Sequence, residues 1–314
     1  MEILHRPVLA QEVLKAFGVP PTPCLMIDCT VGEGGHTSLF LDTYPQLSVI
    51  GVDRDPTILA KATERLQHYG ARFTPVNSWF DENLASYKGP NPFFILFDLG
   101  ISMYHYEGSE RGFSFHKDER LDMRLDPTAT LSAFEIVNTY SAEELANVLY
   151  QYGEERYSRR ISRTIVEKRS KNPIETTKEL ADCIYTAVPP SYRHTRLHPA
   201  TRSFQALRIE VNSELSRIQP AVKKAIELLA VEGRVGVISF HSLEDRLVKQ
   251  LFKEEAKGCV CPAEAPLCTC SKEATIAILT KKPIVATDQE NAENPPSRSA
   301  KLRVAQKRGN VDEL

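Results

Sequence analysis

The run Leu25-Met26-Ile27-Asp28-Cys29-Thr30-Val31-Gly32-Glu33-Gly34-Gly35-His36 constrains this chain more than any other stretch. Short apolar residues end on an acid, open into a glycine-rich turn, and lead into a helical pattern at Leu39, Phe40 and Leu41. Glycines at such a turn let the backbone approach a ligand closely, and the start of the following helix offers it unpaired N–H groups. That is the strand–loop–helix entry of a nucleotide-binding α/β domain.

The pattern repeats. Strands are predicted over Cys24–Asp28, Leu47–Asp53, Arg72–Val76, Phe93–Phe97 and Arg234–Phe240, the second ending in an acid and the fourth followed by Asp98. Helices are expected over Pro7–Phe17, over Thr37–Asp42, and from Asp55-Pro56, where Ile58, Leu59, Ala62 and Leu66 share a face. Alternating strands and helices argue for a doubly wound, mostly parallel α/β sheet. The alternation breaks between about Tyr104 and Gln205, which reads as helices Leu131–Thr139, Ser141–Tyr152, Tyr157–Lys171 and Thr177–Ala187, with a capping box at Ser141–Glu144. A long helix near Leu207–Ala230, interrupted at Pro220, restores the α/β pattern. The expected organisation is a discontinuous α/β domain, residues 1–104 with 206–314, carrying an inserted helical domain, 105–205.

The turn itself argues against a dinucleotide. A pyrophosphate seat needs G-x-G-x-x-G, whereas Gly32-Glu33-Gly34 continues as Gly35-His36-Thr37. Asp28 can receive the cationic amino group of an amino-acid moiety or order water near it. Asp53, ending the second strand, can hold both hydroxyls of a ribose. The pair suits S-adenosylmethionine, which has no phosphate; the plain alternative is a glycine turn with two helix-capping acids. Asp98-Leu99-Gly100-Ile101-Ser102 ends the fourth strand beside the crevice where α/β sheets bind ligands. A carboxylate there can accept hydrogen bonds from an exocyclic amine and aim its lone pair at a methyl group; it can equally cap a helix or touch the cofactor.

Charge distribution singles out the insert. Net charge is −2, yet residues 156–208 hold twelve Lys/Arg against four Asp/Glu. With Tyr157, Tyr185, Tyr192 and Phe204 interleaved and Tyr150 and Tyr152 just ahead of this stretch, the insert can bind phosphates and stack on unpaired bases, or can be a solvated face. Arg159, Arg160, Arg163, Arg193, Arg196 and Arg202 are the candidate RNA contacts. The tail Asn294–Arg308 has five Lys/Arg and no acid, as an RNA-binding or disordered end would. Cys259-x-Cys261 and Cys268-x-Cys270 could close a zinc site, but the spacing is tight and a reduced loop is preferred, so no metal ligand is assigned. His241 reads as a general base or a structural histidine.

The remaining composition is that of an ordinary globular protein, 42% hydrophobic and 25% charged. No apolar run approaches the ~20 residues that span a bilayer, and no signal-peptide core follows Met1, so a cytoplasmic protein with reduced thiols is expected. Val311-Asp312-Glu313-Leu314 resembles an ER-retention tetrapeptide by chance.

Ten blocks together resemble the RsmH (MraW) family of bacterial 16S rRNA cytosine-N4-methyltransferases. They are His5–Leu9, Asp28–His36, Asp53–Pro56, Asp98–Ser102, Arg111–Phe115, Leu121–Arg124, His198–Arg202, Phe204–Arg208, Ser239–Arg246 and Ser299–Ala305, in family order over nearly the whole chain. The resemblance implies the S-adenosylmethionine-dependent methyltransferase fold, S-adenosylmethionine as donor, and the N4 amine of cytidine 1402 in 16S rRNA, within the small ribosomal subunit, as acceptor. It carries cofactor contacts onto Gly34, Gly35, His36, Asp53, Phe80 and Asp98. A further contact falls on His105, where Ser102-Met103-Tyr104-His105-Tyr106-Glu107 departs from the family's Ser-Ser-Pro-Gln-Leu-Asp. Asp98 is the one catalytic candidate. Three other readings are weaker. DNA cytosine methylation lacks its motif, and a nicotinamide oxidoreductase lacks the third glycine. An RNA-binding protein without catalysis would not need Asp53 and Asp98. Sequence does not decide between a monomer and a homodimer.

Overall fold

The computed structural model describes residues 6–309 except 196, 260, 262–266, 268 and 271. Two compact units emerge, Met1–Ile101 with Leu215–Leu314, and Ser102–Glu214. The second begins and ends further out than 105 and 205. Its last helix, Thr201–Asn212, packs on Ala142–Gly153, where Gly153 lacks the Cβ that would stand 2.6 Å from the Arg202 carbonyl oxygen. The break in the predicted long helix falls at Ser213, in a left-handed conformation (φ 51°), and Pro220 sits inside the helix Glu214–Leu228.

The first unit is built on one eight-stranded sheet. Its strands are β1 (Cys24–Asp28), β2 (Leu47–Asp53), β3 (Phe73–Asn77), β4 (Phe94–Asp98), β5 (Arg234–Ser239), β6 (Ile276–Ile278), β7 (Ile284–Val285) and β8 (Lys301–Lys307). They run in the order β3-β2-β1-β4-β5-β8-β6, with β7 also on β8. The first five are parallel, and β8 and its partners are antiparallel. Strands buried on both faces need apolar residues at nearly every position, which is why β4 and β5 read as unbroken apolar runs. Met26, Val49, Phe94, Leu96 and Ile238 pack with Val13, Phe17, Phe40, Leu59 and Leu66 on one face. Ile27, Val52, Ile95, Phe97 and Val237 meet Leu84, Val222, Ile226, Val248 and Phe252 on the other. Strand order reverses between β1 and β4, so the carboxyl ends of β2, β1 and β4 face one crevice at the switch point.

The basic tail is neither disordered nor open to RNA along its length. Residues Lys301–Lys307 are β8, threaded between β5 and β6. Arg303 is buried and donates from Nε to Asp245 Oδ1 at 2.7 Å and from Nη2 to Oδ2 at 3.2 Å. Lys307 Nζ donates to the Ile226 carbonyl at 2.8 Å. These two charges are satisfied internally, and the alternating Leu302 and Val304 fill the core.

The second unit is helical, its main helices being Ala133–Thr139, Ala142–Gly153, Ser158–Arg169, Thr177–Ala187 and Thr201–Asn212. Capping boxes start three of them, at Ser132/Glu135, Ser141/Glu144 and Thr176/Glu179. Ile136, Leu145, Leu149, Ile161, Ile165, Leu180, Ile184 and Leu207 are buried at helical spacing. Among the described residues no helix is long and apolar enough to cross a membrane.

Candidate functional site

The glycine turn is held open by two positive backbone angles, φ 53° at Gly32 and 82° at Gly34, which only glycine adopts without strain. Gly34 N–H closes the turn on the Val31 carbonyl at 2.8 Å and caps the helix Gly35–Thr43. A Cβ on Gly34 would stand 2.8 Å from Leu66 Cδ1, and one on Gly35 3.1 Å from Pro7 Cδ. Gly32 N–H donates to Asp53 Oδ2 at 3.0 Å, and Asp55 N–H to Oδ1 at 2.9 Å. The second strand end is thereby tied to the turn on the first. Asn77 Nδ2 donates to the Asp53 and Arg54 carbonyls, both at 2.9 Å, and brings the end of β3 against them. Phe80, three residues on, stands edge-on to Phe97 with ring centroids 5.6 Å apart.

Asp53 is the electrostatic centre of this arrangement. Desolvation lifts its carboxyl to about 7, against the pull of the Asp55 and Gly32 N–H groups, with Asp55 and Asp28 repelling its charge. Asp28 has a different task from the one expected. It is 1% exposed, with Oδ2 accepting from Thr37 Oγ1 at 2.7 Å and Oδ1 from Thr30 N–H at 3.3 Å. Burial raises its pKa as well. Its oxygens brace the turn from beneath and do not present themselves to an amino group.

Asp98 ends β4, where its N–H donates to Thr30 Oγ1 at 2.6 Å. His36 Nε2 lies 3.6 Å from Asp98 Oδ2. His36 is 6% exposed, and among the described residues neither its ring nitrogens nor Asp98 Oδ1 has a hydrogen-bond partner. Buried polar atoms without partners are costly, and three of them converging on one crevice point to a polar ligand. Gly100 lets the chain turn away from β4, since a Cβ there would stand 2.6 Å from the Phe240 ring.

Gly34, Gly35, His36, Asp53, Phe80 and Asp98 thus lie at or just beyond the carboxyl ends of β1 to β4 in one unit. His105 belongs to the other, where it is buried with its ring 5.0 Å from Phe113. His241 precedes the helix Ser242–Glu255 with Nε2 3.1 Å from Oε1 of buried Glu244. Sequence reading missed Thr30 and Asn77. A hydroxyl two residues past a strand-ending acid is a signal for the first; for the second, the partners are backbone carbonyls that sequence does not mark.

In the helical unit Arg159, Arg160 and Arg163 are exposed at one-turn spacing on the helix Ser158–Arg169. Exposed Arg156 lies over the Tyr157 and Tyr192 rings at 5.0 and 4.7 Å. Arg202 is exposed and donates to the Glu154 carbonyl at 2.8 Å. Arg193 instead closes the end of the helix Thr177–Ala187, donating to the Val188 and Thr186 carbonyls at 3.2 and 3.1 Å. Arg196 lies outside the described residues. Phe204 is buried and cannot stack on a base, whereas Tyr150 is 65% exposed.

Beside the glycine turn the strand ends bring together two carboxylates, Asp53, lifted to about 7 by desolvation, and Asp98, whose buried Oδ1 has no hydrogen-bond partner among the described residues. A crevice of that kind suits group transfer from a phosphate-free nucleoside, the chemistry of a methyltransferase, with S-adenosylmethionine as donor. Residues 2–308 match the MraW methylase family, and the chain belongs to it. It is 51% identical to the ribosomal RNA small subunit methyltransferase H of Treponema denticola, covering 98% of each chain. Identity is 47% to the protein of that name from Nostoc sp., covering 96% of this chain and 92% of that one. It is 44% to the one from Trichlorobacter lovleyi, covering 98% and 99%.

Proposed function

We propose that this enzyme methylates 16S rRNA in the small ribosomal subunit, in the cytoplasm, on the exocyclic N4 amine of cytidine 1402. The substrate class is supported by end-to-end similarity to relatives named for small-subunit rRNA methylation. The observation that carries the chemistry is Asp98: a part-exposed carboxylate at a strand end, with Oδ1 lacking a partner among the described residues.

S-adenosylmethionine, when bound, supplies a sulfonium-activated methyl group. Asp53 would take the ribose hydroxyls, Gly34 and Gly35 would admit the amino-acid end, and Phe80 would pack on the base. His36 has two ring nitrogens to offer polar groups of the ligand. The part-exposed Asp98 carboxylate accepts a hydrogen bond from N4–H of the cytosine. That contact orients the nitrogen lone pair and gives the departing proton an acceptor as the N–C bond forms. Arg159, Arg160, Arg163 and Arg202 bind phosphates, while Tyr150 and the Arg156-covered tyrosines supply stacking faces.

Methyl-labelled donor with 16S rRNA or small-subunit particles tests the reading. Label is expected on N4 of a single cytidine, and label on C5 or a ribose would overturn the acceptor assignment. Asp98→Asn should slow turnover by about 10²-fold or more with donor affinity changed by only a few fold. Turnover at the wild-type rate would remove Asp98 from the chemistry.

A further inference from the structure

Beyond the methyl-transfer site, the first unit carries a cluster of thiols on the connection from the helix Ser242–Glu255 to β6. The connection returns to its starting point. Thr275 N–H donates to the Glu255 carbonyl at 2.9 Å, and Lys272 Nζ to the Glu254 carbonyl at 2.7 Å. Within this closed loop the sulfurs of Cys259, Cys261 and Cys270 all lie within 4.8 Å of one another. Cys259 is exposed, and the other two are half-buried.

We infer that these three thiols are ligands of a structural zinc ion. Three distances favour a metal over a disulfide or a chance gathering of thiols. The Cys259 and Cys270 sulfurs are 3.8 Å apart. Tetrahedral coordination with Zn–S bonds near 2.3 Å sets ligand sulfurs about 3.8 Å apart, while a disulfide would need about 2 Å. Cys261 N–H points at Cys259 Sγ from 3.4 Å, the backbone-to-sulfur contact that stabilises a metal-bound thiolate. Cys261 Sγ lies 4.0 Å from Thr269 Oγ1, a hydroxyl able to support a second thiolate. None of the three thiols is fully buried, so burial alone does not hold them together. A cation that joins the two Cys-x-Cys arms supplies the missing stabilisation. Sequence places a further cysteine, Cys268, in the second arm; it lies outside the described residues. Soft thiolates with no carboxylate among the ligands select zinc over magnesium or calcium. The tight C-x-C spacing, which argued against zinc in the sequence, is compatible with it because the Cys259 and Cys261 sulfurs nevertheless lie within 4.8 Å of each other and of Cys270.

The test uses the full chain purified without chelator. Metal analysis should find about one zinc per chain, and titration of the thiols with a mercurial should release it stoichiometrically to a chromogenic indicator. Cys259→Ser and Cys261→Ser should each lower the content below about 0.2 equivalents, while Cys183→Ser, in the helical unit, should leave it unchanged. Should the loop variants fold poorly, cobalt added to metal-stripped wild-type protein should still give the charge-transfer and d–d bands of tetrahedral thiolate coordination. Wild-type protein with under about 0.2 equivalents of zinc, iron in its place, cobalt spectra without thiolate bands, or a two-proton mass loss marking a disulfide would each overturn the assignment. The readouts do not involve methylation, so the outcome is separable from the proposed activity.

Discussion

Under the proposed function, Asp53 should make donor affinity depend on pH across neutrality. Its carboxyl is lifted to about 7 by desolvation. A ribose diol donates two hydrogen bonds, which a carboxylate accepts and a protonated acid accepts only in part. Binding therefore follows the ionised fraction. With a titration near 7, affinity should fall about tenfold between about pH 8 and about pH 6. Asp53→Asn removes the charge and, at about pH 8, should weaken binding by roughly 10- to 100-fold, the worth of about 1.5–3 kcal/mol for a hydrogen bond to a charged group. Part of that loss comes from the turn, because one amide oxygen cannot accept from both Gly32 and Asp55 as the carboxylate does. Calorimetry with S-adenosylhomocysteine at three pH values, in wild type and Asp53→Asn, separates the effects. The ligand's amino group titrates equally in both proteins, so the difference in slope belongs to Asp53. The sign for stability is opposite. A carboxyl raised on folding contributes most below its unfolded value near 4, and that contribution is lost as pH rises through about 7. Asp53→Asn should flatten the decline. A wild-type affinity profile no steeper than that of the variant would refute the assignment of Asp53 to the ribose.

Three more perturbations probe the turn, the antiparallel seam and the basic helix. Gly34→Ala places a Cβ at φ 82° and 2.8 Å from Leu66 Cδ1, and should lower stability by at least ~1–2 kcal/mol in urea unfolding together with donor affinity; an unchanged midpoint would mean the turn relaxes. Arg303→Met leaves part-exposed Asp245 with only Lys301 Nζ, 4.0 Å away, as a neighbouring cation and should cost about 1–3 kcal/mol, with Arg303→Met/Asp245→Leu recovering much of it; equal losses in both would exclude the ion pair as the cause. Replacing Arg159, Arg160 and Arg163 by Gln should weaken 16S rRNA binding and reduce the slope of log affinity against log salt by about 2, leaving donor affinity intact; an unchanged slope would take this helix face out of the RNA interface.

The sheet was legible where both faces of a strand are covered, and illegible where charge hides the pattern. β1 and β2 match their sequence-predicted bounds residue for residue, since apolar runs bounded by prolines, glycines and acids leave little choice of register. β8 escaped notice although Leu302 and Val304 alternate, because Lys301, Arg303 and Lys307 read as a basic tail. Two of those cations find their partners, Asp245 and the Ile226 carbonyl, far along the chain. Likewise the helix break at Ser213 belongs to a residue with no special propensity for a left-handed conformation, while Pro220, the obvious breaker, is accommodated inside a helix.

The same limit runs through the candidate site. Asp28, Asp53 and Asp98 carry one sequence mark, an acid closing an apolar strand, and the fold gives them three environments. Thr37 and Thr30 satisfy Asp28, and burial removes it from any ligand. Backbone N–H groups from the glycine turn and from Asp55 hold Asp53, whose carboxyl desolvation lifts to about 7. Asp98 accepts none of these N–H groups; its own N–H goes to Thr30, and its buried Oδ1 has no partner among the described residues. Strand ends can be read from hydrophobic patterning, but what each acid does there depends on which donors reach it. Two of those donors, the Thr30 and Gly32 N–H groups, come from a turn whose shape rests on two positive φ angles. The glycines therefore act on the site at one remove: by deciding where backbone N–H groups point, they help decide which carboxylate is a brace, which is proposed as the ribose clamp and which as the acceptor.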